Sequence, residues 1–338
     1  MTKRDRIAIE PPRPDWLARV EEEILEPELP IIDPHHHLWD RLGTYLTDEI
    51  AADVGSGHNV VATVFVQCRY GHAEDGPEVL RPVRETGLVM DVVREGQARG
   101  LETDLCAGIV GFADLMQGAA VAEALIAHEE LAEGRFRGIR HITADEPSFD
   151  TFLPKVAPDA MQSEAFRAGF ACLAPAGLSY DAWLYHPQIP QFTDLARAFP
   201  DTTMILDHVG GPLGLGAYRG RRDEVFAAWK ASMTELATCP NVNVKLGGIG
   251  MDITGSTWSE QEMPPGSETL AEDFRPWVET TIELFGPDRC MFESNFPVDK
   301  ASYSYPVLWN AFKRLASGAS AEEKRLLFHD TAKRVYRL

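Results

Sequence analysis

From residue 31 onward, short apolar runs alternate with longer segments in which apolar side chains recur every three or four positions. The apolar runs cover residues 31–37, 60–67, 105–112, 136–141, 178–184, 203–207, 242–245 and 289–293. Several are apolar almost throughout, VVATVFVQ at 60–67 being the clearest, which suits strands covered on both faces of a parallel sheet. Helical spacing runs through 79–97, 119–131, 164–172, 191–199, 222–239 and 276–285, and two further helices are expected at 306–316 and 321–336. Glycine or proline often closes a helix, as in Phe199-Pro200 and Phe285-Gly286-Pro287. Residues 1–30 break the pattern: proline-rich and charged, they read as an extended arm with one short helix around 16–25.

Eight strand candidates alternating with helices predict an α/β fold, a (β/α)8 TIM barrel over 31–338 preceded by an N-terminal arm over 1–30. A barrel of this kind needs ~250 residues, so the 338 present leave room for the arm and long loops. A doubly wound open sheet is the alternative, but no glycine-rich fingerprint follows the first strand.

Composition narrows the partners. The chain carries 32 Lys and Arg against 52 Asp and Glu, a net charge of −20 at pH 7. That repels phosphate backbones and anionic lipid, so neither nucleic acid nor membrane is an expected partner, and a small molecule is. No run approaches the ~18 continuous apolar residues of a membrane span, and the N-terminus shows no signal-type apolar stretch. The five cysteines are scattered without a CxxC pair, which suits a reducing compartment. The chain therefore reads as soluble and cytoplasmic, and an exposed N-terminal arm suits a homo-oligomer.

Polar residues collect where the apolar runs end. The strand termini carry Asp33-Pro34-His35-His36-His37, Gln67-Cys68-Arg69, Arg140-His141, Tyr185-His186, Asp207-His208, Lys245, and Glu293-Ser294-Asn295. In a parallel barrel all these ends open on one mouth, where barrel enzymes build their active sites. His35 and His37 are two apart on a strand, so both imidazoles can meet one ion or substrate while His36 points away.

The stretch Asp33-Pro34-His35-His36-His37-Leu38-Trp39 resembles the D-x-H-x-H-x-W opening of the amidohydrolase superfamily. It is most similar to the branch that contains sugar-acid lactonases and 2-pyrone-4,6-dicarboxylate lactonase. Val64-Phe65-Val66-Gln67, Arg137 to His141, Leu206 to Gly210, Val244 to Gly248 and Met291 to Val298 agree with it, so the resemblance spans nearly everything from Ile31 onward. It implies a mouth holding a divalent metal in many members, while some lactonases work without one. By position, His35 and His37 match the strand-one ligands and His208 the strand-six histidine, with His186 the nearest candidate from strand five. Imidazoles in this number suit zinc first, and manganese where carboxylates and water complete the shell.

One residue departs from the pattern. The branch carries an aspartate at the end of strand eight where this chain has Asn295, and an amide is no base near neutral pH. Glu293, two residues earlier on the same face, can replace the lost carboxylate, or it can be a buried acid paired with Lys245 or an arginine. Asp299 is a looser candidate. With a metal, a bound hydroxide attacks the ester carbonyl. Without one, the histidines and a basic side chain polarise the carbonyl while Glu293 or His208 takes a proton from water. His35, His37, His208, Glu293 and Asn295 are thus the expected catalytic set.

Arg69, Arg140, His141 and Lys245 are assigned to substrate, because guanidinium grips carboxylate through two parallel hydrogen bonds. The expected reaction is hydrolysis of a lactone, carboxylated or sugar-derived. The alternatives are a metal-dependent decarboxylase of an aromatic or unsaturated acid and a non-catalytic ligand-binding barrel. The glycine-rich loop 247–258 either covers substrate, with Met251 and Trp258 as a wall, or is a surface connection. His128, within the helical run 119–131, is expected at the surface.

Overall fold

The computed structural model describes residues 10–151 and 153–338. Eight strands form one parallel sheet in consecutive order: β1 (Ile31–His36), β2 (Val60–Val66), β3 (Asp104–Gly111), β4 (Phe136–Arg140), β5 (Ser179–Ala182), β6 (Met204–Leu206), β7 (Val242–Leu246) and β8 (Cys290–Phe292). The seam is closed by backbone bonds from Asn295 N to His35 O (2.9 Å) and from His37 N to Phe296 O (2.7 Å). Helices lie between successive strands, so the predicted (β/α)8 barrel is the fold.

Alternation along the strands sorts the side chains into two layers. Val64, Val110, Ile205 and Met291 fill the barrel interior, closed from below by Val335 and Tyr336 of the last helix, Thr331–Tyr336. Phe65, Ile109, Met204, Leu206, Val244 and Phe292 face outward and pack under the helices. The same alternation turns Arg140, Asp181, Lys245 and, just past their strands, Asp207 and Glu293 toward the barrel axis near the mouth.

Three elements differ from their sequence reading. The helix predicted from 276 begins at Ser267 and runs to Phe285 with Pro276 inside it. Leu270, Phe274, Trp277 and Val278 keep one buried face through the proline, and that burial outweighs the ~3 kcal/mol an interior proline costs. Among the described residues of the arm, only Pro14–Leu17 is helical. Beyond it the backbone is bound by the barrel: Asn310 donates to Glu23 O and Lys313 to Leu25 O and Glu26 O, which replaces helical bonding. The first nine residues of the predicted arm lie outside the described residues. His128 is fully buried, not at the surface, between Thr86 Oγ1 (2.8 Å) and the Phe112 carbonyl (3.0 Å). No helix of the described residues is long and apolar enough to cross a membrane.

Candidate active site

The strand-one motif delivers its histidines as its spacing requires. His36 points away from the mouth into a bond with Thr63 Oγ1 (2.9 Å). The rings of His35 and His37 lie 4.9 Å apart and perpendicular. His208, just past β6, brings its ring to 4.7 Å from that of His35. Each imidazole is held from behind. His37 Nδ1 donates to the Val66 carbonyl (2.7 Å), and His208 Nδ1 donates to Glu293 Oε1 (2.7 Å). Glu293 Oε2 stands 2.7 Å from His35 Nδ1. Glu293 therefore sits beneath two imidazoles and takes no part in lining the cavity above, which His37, Arg140, Trp183, His208, Met251 and Asn295 help to form in a volume of about 410 Å³.

A buried charge network underlies this layer. Lys245 Nζ lies 2.6 Å from Asp181 Oδ2, 3.1 Å from Asp207 Oδ1 and 3.1 Å from His35 Nδ1. Arg140 Nη1 reaches His35 Nε2 (3.2 Å) and Asp207 Oδ2 (3.5 Å). A neutral imidazole accepts at one nitrogen only. We assign the His35 proton to Nδ1, facing Glu293, which leaves Nε2 to accept from Arg140. Burial pushes Glu293 up, but His208 and His35 outweigh it and hold the carboxyl down to about 2. Burial likewise raises Asp207, yet Lys245 and His35 keep it well below the usual carboxylate range. Burial, aided by Lys245, lowers His35 to about 4, so it is neutral near pH 7.

The local backbone makes room for this arrangement. His208 adopts φ +55° and Asn295 φ +55°, a left-handed conformation that costs non-glycine residues roughly 1–3 kcal/mol and concentrates at functional sites. Gly247 and Gly248 follow β7. A Cβ at Gly248 would come within 2.2 Å of His208 Nδ1, and one at Gly247 within 2.3 Å of the Glu293 carbonyl. The glycines of the long loop are thus needed where the loop leaves the strand. Farther along, Met251 lines the cavity, whereas Trp258 lines a separate one beneath the loop.

Not every expected residue joins the cluster. His186 does not: its Nδ1 accepts from the Leu213 amide (3.3 Å) and its ring packs on Tyr218. Strand β5 ends at Ala182, and the chain turns at 186–188 before His186 can face the axis. His141 accepts from the Leu115 amide (3.2 Å) and lines a neighbouring cavity, with Arg69 on the wall common to both. Asn295 faces the mouth and donates to Asp299 Oδ1 (3.0 Å), while Tyr303 holds the other oxygen. Burial raises Asp299 to about 7. Asp181 and Glu85, which accepts from the Cys68 and Tyr70 amides, were not singled out from the sequence, and Asp207 was read only as a polar strand end. A lone acid inside the apolar run 178–184 was the one available signal for Asp181.

His35, His208 and Glu293 each offer a ligand atom, all within 4.8 Å of one another. Glu293 Oε2 and Asp207 Oδ1 are buried, the first facing His35 Nδ1 at 2.7 Å and the second Lys245 Nζ at 3.1 Å. Two imidazoles and a buried carboxylate are the donor types that fit a divalent cation.

The sequence matches the amidohydrolase family over residues 32–338. The chain belongs to that family. Within it, the uncharacterized protein y4mH of Sinorhizobium fredii is 34% identical over 336 residues, 92% of this chain and 99% of that protein. L-fucono-1,5-lactonase of Burkholderia multivorans is 28% identical over 328 residues, 91% of this chain and 96% of the lactonase. A crystal structure of an amidohydrolase from B. multivorans with bound HEPES superposes with a TM-score of 0.71 at 25% identity, covering 91% of this chain and 99% of that one. This chain is accordingly an enzyme of the amidohydrolase superfamily.

Proposed function

We propose that this enzyme hydrolyses a lactone at the C-terminal mouth of the barrel. The observation that carries the reading is the Glu293–His208 pair, a carboxylate orienting an imidazole whose other nitrogen belongs to the ring face lining the cavity. The lactonase name of a relative that matches 91% of the chain supports the same chemistry.

The chain's own groups supply each step. Arg140 and Arg69 hold the polar substituents of the substrate, and Trp183 and Met251 keep bulk water from the ring. His208 takes a proton from water as the water oxygen bonds to the ester carbonyl carbon. Arg140 stabilises the oxyanion so formed. When the oxyanion collapses, the ring C–O bond breaks, and the proton on His208 passes to the departing alkoxide to give a hydroxy acid. Lys245 fixes Asp207 and Asp181, which keeps the net charge beneath His35 small. In place of the hydrogen bonds among them, His35, His208 and Glu293 would hold a divalent ion, zinc or manganese by donor type, with His208 then a ligand and not the base. Such an ion supplies carbonyl polarisation and a water acidic enough to ionise near neutral pH.

A pH-stat assay with L-fucono-1,5-lactone and related sugar-acid lactones tests the reading. Acid release by the wild type that His208→Asn abolishes is the expected result. No release from any lactone would reject it.

A further inference from the structure

Next to the cavity over the histidines lies a second one, of about 460 Å³, between the loops that follow β2, β3 and β4. The two share Arg69, Ile142 and Pro154, so Arg69 stands at the junction. Its placement is built. Arg69 has φ +62°, and the amides on either side of it, Cys68 N (3.0 Å) and Tyr70 N (2.8 Å), both donate to Oε1 of the buried Glu85. This clamp projects the guanidinium outward beside the ring of Phe112, 5.8 Å from its centre.

Arg81 and Lys155 line the second cavity as well. Among the described residues, none of these three cations forms an ion pair. In a chain with 52 acidic against 32 basic side chains, three unpaired cations around one cavity are not chance surface charge. Two carboxylates share the wall, Glu78 and Asp114, the latter accepting from the Met116 amide (3.0 Å), so the three cations leave one net positive charge on the cavity. Gln67 Oε1, buried and without a hydrogen-bond partner, belongs to this wall too. Each chamber alone falls within the ~300–1,000 Å³ that drug-sized ligands occupy, so the pair exceeds what a single sugar lactone fills.

We propose that the second cavity binds a carboxylate carried on an arm of the substrate, so that the substrate class is a lactone ring bearing an extended acidic substituent. The ring lies over His37 and His208, the arm passes Arg69, and its carboxylate is held by Arg81 and Lys155. Only the identity of the ring rests on the lactone reading. The charged arm rests on the cations alone.

The test compares a six-membered lactone bearing a carboxybutyl arm with the methyl ester of the same arm. In the wild type the acid is the better substrate. In Arg81→Ala/Lys155→Ala the ratio of kcat/KM, acid over ester, falls at least about tenfold, through KM. Lys155→Glu, at an exposed position, reverses one charge without disturbing packing and lowers the ratio in the same direction. An unchanged ratio in both variants would overturn the proposal. If the wild type opens neither ring, the lactone reading fails, and calorimetric binding of adipate decides the cavity separately. A dissociation constant raised about tenfold or more in the double variant supports it. An equal constant, or no binding to the wild type, overturns it.

Discussion

His208 donates its Nδ1 proton to Glu293 Oε1 across 2.7 Å, and this bond decides which nitrogen of His208 handles a proton at the cavity. The carboxylate is shared with His35, 2.7 Å from the second oxygen. Glu293→Gln keeps the shape but can accept on one oxygen only, so one imidazole loses its orienting partner. The expected outcome is a fall in kcat of roughly 10²–10⁴ with unchanged far-UV circular dichroism. Retention of most of the activity would remove Glu293 from the mechanism.

Gly248 matters because of what a side chain there would strike. Its φ is +64°, and an added Cβ would lie 2.2 Å from His208 Nδ1. Gly248→Ala should displace His208 and lower kcat by about 10²-fold, with a stability loss of ~1–3 kcal/mol in urea unfolding. An active, equally stable variant would show that the His208 position is not critical.

Lys245 neutralises Asp181 and Asp207 with no solvent to help, since all three are fully buried. Lys245→Met should destabilise by ~3–5 kcal/mol, because it strands buried carboxylates. Adding Asp207→Asn should return part of that loss. Urea unfolding of the single and double variants measures both, and a double variant no better than the single would contradict the pairing.

Asp299 gives a pH dependence with a definite sign. Its carboxyl is raised to about 7 by burial, from a usual value of 3.8. The folded enzyme keeps this proton between those values and the unfolded chain releases it, so the group's contribution to stability declines as pH rises through that window. Asp299→Asn removes the decline. Relative to wild type, the variant should gain stability between pH 4 and pH 7, read from urea midpoints at both. A constant difference would place Asp299 in an ionised state.

The cluster also predicts metal behaviour. At pH 7 His35 is neutral and Glu293 ionised, so zinc or manganese added to metal-stripped enzyme should bind without prior loss of a proton from either. Glu293→Gln should weaken binding by roughly 10–100-fold. Calorimetric titration of the wild type and the variant reads both, and equal affinity in the two proteins would contradict the assigned ligands.

The sequence displayed the barrel because apolar runs buried on both faces leave their mark at every strand, and it displayed the mouth because polar residues crowd their C-terminal ends. The alternation at His35-His36-His37 foretold which rings converge. What stayed hidden depends on distances between segments remote in the chain. His186 follows a strand that stops four residues too early, an offset that periodicity does not show. His128 sits on a helix whose turn toward Phe112 is set by packing, not by its own pattern. Asp181 and Lys245 lie 64 positions apart and become one ion pair only when β5 and β7 curve into a barrel. Glu293 was legible as a carboxylate on the inner face, yet its role beneath two imidazoles required both other strands to be in place.

Isotope tracing tests the central claim most directly. The enzyme is incubated in heavy-oxygen water with carboxylated lactones and, separately, with aromatic carboxylic acids, and the products are weighed by mass spectrometry. The account predicts ring-opened hydroxy acid with one heavy oxygen in its new carboxylate, formed at a rate that His208→Asn removes. Intact lactones together with carbon dioxide released from an aromatic acid would contradict it.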